Sequence, residues 1–120
     1  MTGSGVNGVD VGSSARNTIL KNVATASKVG GINVFESTAT LVKGNTASSN
    51  SGFGITVTGG SGNTIVSNKA NENAQDGILS STTDVTIDKN AGNGNGFDNG
   101  TSDGVGLGIA APAGTPGSSN

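Results

Sequence analysis

The chain has 120 residues, of which 31% are hydrophobic, 2% aromatic and 12% charged, and its formal net charge is −2. More than half of the residues are Gly, Asn, Ser or Thr, a composition that ordinarily indicates a disordered chain. The mild charge and the scarcity of aromatic side chains argue against a nucleic-acid ligand, and the lack of Cys excludes disulfides and thiolate metal sites. No apolar run approaches the roughly 20 residues that cross a bilayer, and the start MTGSGVNGVDV lacks a signal-peptide pattern.

A repeat with a period of 23 residues argues against disorder. Its first anchor is a glycine followed by Val or Ile, at Gly8, Gly31, Gly54 and Gly77. In each copy a β-branched residue stands three positions before an Asn, a small residue two after it, and Ser or Asn five after it. The period holds except for the last step between the Asn residues, from Asn68 to Asn90, which is 22. Four features kept in one register predict a regular fold.

Short stretches of alternating apolar and polar residues predict β-strands with one face turned inward. One strand follows each anchor glycine, which suits a corner where the backbone turns sharply or adopts a positive φ. At the fourth copy Ser80 replaces the second apolar residue, so the core is expected to thin there. A second strand per copy supplies another inward residue. The predicted core column consists of Val9, Ile32, Ile55, Ile78, Ile19, Val42, Ile65 and Ile87.

Two or three short strands per 23 residues leave no room for helices, so the sequence predicts an all-β solenoid. We expect a right-handed parallel β-helix of about four to five rungs, with each strand pairing with its equivalent one turn on. The domain is predicted to span residues 1–109, with an irregular tail over 110–120. Gly104-Val105-Gly106-Leu107 restores the anchor pattern as an incomplete fifth rung, after an insertion around Asn95–Asp103, and Ile109 could continue its strand.

The repeated Asn residues are predicted to stack into a ladder in which each side-chain amide bonds those above and below. This ladder consists of Asn22, Asn45, Asn68 and Asn90, and Asn50, Asn73 and Asn95 could form a second. The alternative is that Asn merely marks turns. A turn preference does not demand the same register four times, so the ladder is favoured. No helical pattern is present to cap the ends of the coil, which predicts self-association or contact with neighbouring solenoid rungs.

The pattern Gly-Ile-x-Val followed by x-x-Ile-x-x-Asn-x-Ala-x-x-Asn, from about Gly8 to Ile109, resembles the right-handed parallel β-helix superfamily of pectate-lyase-like proteins. The residue pattern of the repeat is most similar to the repeats of alginate-epimerase-like extracellular proteins. The resemblance implies the fold but not one function, because lyases, hydrolases, epimerases, tail spikes, adhesins and surface-layer proteins share it.

In enzymes of that superfamily the substrate lies along an outward strand face. The corresponding residues here are Asp10, Asn33, Thr56, Leu79 and Gly106, of which only one is ionisable. No carboxylate pair suits hydrolysis, and the chain has no His for an epimerase-like site. Arg16 is the sole Arg and is interpreted as a solvated surface residue. We therefore predict no catalytic residues and no cofactor.

Aromatic sugar platforms of Tyr or Trp are absent. Phe35, Phe53 and Phe97 could be exposed, although Phe53 and Phe97 are interpreted as plugs of the core. A calcium site is a weak candidate: Asp98 and Asp103 flank a Gly-rich segment that resembles one copy of a calcium nonapeptide. A single copy without its following hydrophobic residue favours a polar insertion loop.

Two functions follow from this pattern. The first is a non-catalytic structural or assembly module of an extracellular, surface, fibre or phage-tail protein, stacking end to end. The second is a degenerate or excerpted carbohydrate-active domain that binds polysaccharide. The expected location is extracellular or on a cell or virion surface, with a cytoplasmic location left open, and neither nucleic acid nor membrane is an expected partner.

Overall fold

The computed structural model describes residues 2, 3, 5–82 and 84–96 and the backbone of a strand at Ile109–Ala110. These residues contain no helix, and therefore none that could cross a bilayer. Three parallel sheets are present. The first contains β1 (Val9–Gly12), β4 (Ile32–Phe35), β7 (Ile55–Thr58), β9 (Ile78–Ser80) and β11 (Ile109–Ala110). The second contains β2 (Thr18–Leu20), β5 (Leu41–Lys43), β8 (Asn63–Val66) and β10 (Val85–Asp88), and the third contains β3 (Val23–Thr25) and β6 (Thr46–Ser48).

The three sheets form the walls of a parallel β-helix, as the sequence predicts. Each strand pairs with its equivalent one turn later, so that Val9 lies opposite Ile32 and Ile32 opposite Ile55. Three complete turns lead from β1 to β9, and the chain continues through β10. Neighbouring levels are therefore separated by the spacing of paired strands, about 4.8 Å.

The apolar residues of the repeat form one continuous core between the three sheets. Ile55, Ile65, Ile78 and Ile87 are completely buried, and Ala47 closes the narrow corner of its level. The first level is less completely buried, because Val9 is partly exposed while packing against the core. The column holds with few large side chains because each level shares its core with the next.

The anchor glycines Gly8, Gly31 and Gly54 are required for close approach and not for a positive φ. A Cβ on Gly54 would lie 2.4 Å from the carbonyl oxygen of Gly77 and 2.7 Å from Nδ2 of Asn73. None of the four anchors is among the residues with positive φ. The expectation of a sharp corner is thus right, but its cause is the packing of one level against the next.

Left-handed backbone occurs instead directly before most of the corner positions that point inward. Most of these residues are not glycine, so they adopt a conformation that costs an L-residue about 1–2 kcal/mol. Before the first predicted Asn ladder the φ values are 53° at Lys21, 65° at Gly44, 57° at Ser67 and 53° at Lys89. The same conformation precedes the second set, at Ala26, Ser49, Glu72 and Gly94.

The single 22-residue step lies at the corner between β9 and β10. Val85 pairs there with Asn63, 22 positions earlier, so one residue is missing relative to the level before. Ser80, which interrupts the apolar column, is buried, and its hydroxyl donates to the carbonyl oxygen of Thr82 at 3.2 Å. The polar side chain is therefore satisfied inside the shortened corner.

The predicted register of the fifth rung is wrong. β11 pairs with β9 so that Ile109, and not Val105, lies opposite Ile78. The strand that continues the first sheet therefore begins four residues later than the Gly104-Val105 pattern suggests. The segment Gly104–Leu107 itself lies outside the described residues, as does the predicted tail beyond Ala110.

Candidate functional site

The first set of asparagines forms a ladder at the corner between the second and third sheets. Asn45 donates from Nδ2 to Oδ1 of Asn68 at 3.0 Å, and Asn68 donates likewise to Asn90 at 2.9 Å. At the N-terminal end Asn22 donates to Oδ1 of Asn45 at 3.2 Å. Asn45, Asn68 and Asn90 are buried, whereas Asn22, the first in the column, is exposed.

Each buried amide in the middle of this ladder uses its full hydrogen-bonding capacity. Oδ1 of Asn68 accepts from both the backbone N–H and Nδ2 of Asn45, at 2.8 and 3.0 Å. Its Nδ2 donates to Asn90 and also to the carbonyl oxygen of Val42, both at 2.9 Å. Two donors and two acceptor sites are the whole inventory of an amide, so a polar group is buried here without loss.

A second ladder stands at the corner between the third sheet and the anchor glycines. Asn50 donates from Nδ2 to Asn73 at 2.9 Å, and Asn73 donates to Asn95 at 3.1 Å. Ser27 occupies the first position, and its backbone N–H donates to Oδ1 of Asn50 at 2.9 Å. At the other end Nδ2 of Asn95 is buried without a hydrogen-bond partner among the described residues.

A third corner, between the first and second sheets, carries a partial ladder that the sequence analysis missed. Asn63 accepts from the backbone N–H of Thr40 at 2.9 Å and donates to the carbonyl oxygen of Ser37 at 2.8 Å. Asn17 donates to Oγ1 of Thr40 at 3.3 Å. The next level holds Val85 in this position. This column was not predicted because its residue type changes from level to level, from Asn to Thr, back to Asn and then to Val. The 23-residue spacing of its first three members could have revealed it.

The outward face of the first sheet carries a short chain of polar contacts. The strand register places Asp10, Asn33, Thr56 and Leu79 in one column, as predicted. Nδ2 of Asn33 donates to Oδ1 of Asp10 at 2.7 Å, and Oγ1 of Thr56 donates to Oδ1 of Asn33 at 2.8 Å. Gly106, the fifth residue of the predicted column, lies outside the described residues.

A groove with a volume of about 280 Å³ opens on this face. Its apolar side is formed by Val29, Phe53 and Leu79, and its polar groups include Asn33 and the threonines of β7. Phe53 is half-buried at the surface, so its interpretation as a plug of the core is wrong. The groove arises because Phe53, at a corner, stands beside the outward residues of the adjoining strands. The complete lining is Asn7, Val29, Gly30, Asn33, Phe53, Thr56, Thr58 and Leu79.

The other residues singled out in the sequence are dispersed. Arg16 is exposed and belongs to the positive-φ residues, with a φ of 56°. Phe35 is 39% exposed, and its ring covers the position where Gly12 would carry a Cβ. In the described part of the chain no three acidic side chains gather into a metal-binding group. Asp98 and Asp103, the calcium candidates, and Phe97 lie outside it.

One buried acidic residue was not anticipated. Asp76 directly precedes the anchor Gly77 and is completely buried, at the position that Phe53 occupies one level earlier. Its backbone carbonyl accepts from the N–H of Gly54 at 3.0 Å. The sequence offers only a weak signal for it, because the position before the glycine differs in every copy.

Comparison with known families agrees with this architecture. The family model described as a right-handed beta helix region matches residues 1–114. This match confirms both the predicted superfamily and the handedness of the coil. No curated protein and no solved structure matches the chain.

Proposed function

Because the chain belongs to the right-handed β-helix family, we propose that it is a non-catalytic structural module of an extracellular or surface assembly. The observation that carries this proposal is the presence of Asn ladders at two corners, joined by a partial ladder at the third. They commit buried polar side chains to holding one level on the next. Because these hydrogen bonds join side chains of the same chain, they hold the levels together without a ligand.

The proposed partner is a further β-helix level, supplied by a second copy of the coil. β1 is the terminal strand of its sheet among the described residues, and Val9 and Val11 are only partly buried there. Their equivalents one level on, Ile32 and Val34, are each 1% exposed. A level stacked on β1 would bury the two valines and supply backbone partners to the strand edge.

End-to-end stacking is tested by analytical ultracentrifugation over a range of concentrations and by negative-stain microscopy. We expect concentration-dependent association into short rods. Val9→Lys should abolish the association because it places a charge in the stacked interface. Val66→Lys is the matched control, since Val66 lies on the outward face of β8, a strand that is not at the end of its sheet. Circular dichroism checks that both variants keep their β-structure, and a wild-type chain that remains monomeric at every concentration contradicts the stacking.

Polysaccharide binding is the second candidate, and the groove on the first sheet favours it. Its half-buried Phe53 beside amide and hydroxyl groups is the combination of an apolar wall with a few polar anchors that ligand sites use. Incubation with alginate and pectin oligosaccharides tests the candidate. Binding without unsaturated products supports a binding domain, whereas product formation contradicts the non-catalytic assignment.

A further inference from the structure

The polar chain on the first sheet fixes the orientation of one amide in the groove. An ionised carboxylate can only accept hydrogen bonds, so Asp10 must face Nδ2 of Asn33, to which it lies at 2.7 Å. Oδ1 of Asn33 consequently points the other way and accepts from Thr56 at 2.8 Å. Asp10 thus acts as a positioning residue that distinguishes the two ends of the Asn33 amide.

This orientation leaves Asn33 with one N–H and one acceptor lone pair beyond these two contacts. Thr58, whose side chain carries a hydroxyl, lines the same groove. A paired donor and acceptor matches neighbouring hydroxyl groups, each of which can donate one hydrogen bond and accept others. The polar side of the groove therefore suits a polyhydroxylated ligand.

The apolar lining suits the apolar face of a ring. Phe53, Val29 and Leu79 supply an aromatic ring and two aliphatic side chains. A pyranose combines C–H groups on one face with hydroxyls around its edge, so it can contact both the apolar and the polar lining residues. The volume of about 280 Å³ limits the site to a small group, such as one sugar ring of a longer chain.

Charge decides which sugars fit. None of the eight lining residues is ionisable, and the carboxylate of Asp10 lies beside Asn33 on the neighbouring strand. A uronate in the groove would be desolvated near that like charge and would find no cationic partner among the lining side chains. Lys28 precedes Val29 in the chain but does not line the groove.

We propose that this groove binds one uncharged pyranose of a neutral glycan, held by Asn33 and Thr58 and covered on one face by Phe53. The proposal rests on the second candidate function, polysaccharide binding, and it specifies the ligand as neutral. Asp10 contributes by orienting Asn33 and by disfavouring acidic rings.

The test is an NMR titration of the ¹⁵N-labelled chain with cellohexaose, laminarihexaose and mannohexaose, and with hexamers of galacturonate and of mannuronate. We expect at least one neutral hexamer to shift the amide signals of Asn33, Phe53 and Leu79, and the acidic hexamers to leave them unchanged. Phe53→Ala and Asn33→Ala should each weaken the neutral complex about tenfold, the equivalent of one lost stacking or hydrogen-bonding contact. Thr64→Ala, on the outward face of the second sheet, is the matched control and should bind like the wild type.

Asp10→Asn separates positioning from simple packing. An Asn at this position can donate or accept, so the Asn33 amide loses its fixed orientation while the shape of the side chain is kept. We expect weaker binding of the neutral hexamer and a smaller discrimination against the acidic hexamers. An unchanged discrimination would overturn the role assigned to Asp10.

The remaining outcomes separate the two proposals. If the acidic hexamers shift the groove signals more than the neutral ones, polysaccharide binding stands but the neutral ligand is wrong. If no hexamer shifts these signals, polysaccharide binding in the groove and the neutral ligand are both wrong. The proposed structural role is then unaffected, because it is tested by the association of the chain with itself. Equal weakening by Thr64→Ala would show that the variants act through the fold, and it would also overturn the site.

Discussion

Two corners of the coil both bury a column of polar side chains, but only one column consists of asparagines at every level. At the corner after the second sheet, four asparagines follow one another without interruption, from Asn22 to Asn90. At the corner before that sheet, the column reads Asn17, Thr40, Asn63 and then Val85. The interrupted column coincides with the missing residue between β9 and β10 and with the loss of an apolar residue at Ser80.

The difference shows what a ladder requires. An amide in the continuous column both accepts from the level before and donates to the level after, so every level depends on its neighbours. At the interrupted corner Val85 has no side-chain oxygen to accept from the level before, so the column of amide bonds ends at Asn63. Asp84 adds a different contact there, because its Oδ2 accepts from the backbone N–H of Gly62 at 2.9 Å, beside the regular bond from that N–H to the carbonyl oxygen of Asp84. The last level is therefore joined to the one before it by fewer ladder bonds at this corner than at the continuous one.

The largest effect is expected from Asn68→Ala, in the middle of the continuous ladder. It removes four hydrogen bonds: the backbone N–H and one Nδ2 hydrogen of Asn45 lose their acceptor, and the carbonyl oxygen of Val42 and Oδ1 of Asn90 each lose one donor. We expect a loss of about 4 kcal/mol in the free energy of unfolding, measured by urea denaturation.

Asn93→Ala is the matched control for that variant. Asn93 is exposed, and its backbone N–H, which the substitution keeps, donates to Asn71. Its unfolding free energy should stay within about 0.5 kcal/mol of the wild type. Similar losses in Asn68→Ala and Asn93→Ala would mean that the ladder does not stabilise the coil.

A smaller effect is expected from Asn63→Ala, at the interrupted corner. Asn63 has side-chain bonds only to the N–H of Thr40 and the carbonyl oxygen of Ser37, because Val85 offers nothing on the other side. The expected loss is about 2 kcal/mol by the same urea measurement. A loss as large as that of Asn68→Ala would refute the distinction between the corners.

The smallest expected effect is a gain in stability at the positive-φ residues, which both corners contain. Ala39 and Ser67 have φ values of 53° and 57° directly before Thr40 and Asn68. Ala39→Gly and Ser67→Gly should each stabilise the chain by about 0.5–1 kcal/mol, because glycine adopts this conformation without a steric penalty. Ala15→Gly, at a position that does not have a positive φ, serves as control and should not raise the thermal midpoint. Midpoints that fall for Ala39→Gly would indicate that the left-handed backbone carries no strain.

Periodicity accounts for the part of this structure that was predictable. Equivalent residues of the core and of the ladder are spaced 23 residues apart, as are the partners of Ile32, Val42 and Asn45. A spacing repeated that regularly leaves one way to stack the levels. Prediction failed where the repeat is broken. Ile109 pairs with Ile78, and the sequence between them keeps no 23-residue period from which this register could be read.

The candidate groove shows the same limit. Phe53 occurs in one copy only, and a residue that appears once carries no periodic signal of whether it faces the core or the solvent.

The order of residues alone determined that this chain coils, how many residues make a turn and which side chains point inward, because these depend on a local pattern repeated at fixed intervals. The folded structure alone decided that the anchor glycines serve close approach between levels, that a third corner carries a partial ladder, and that Phe53, Asn33 and Thr58 border one groove. These features arise from contacts between different levels, which a repeated pattern of residue types does not describe. Such contacts become visible only once the turns are stacked.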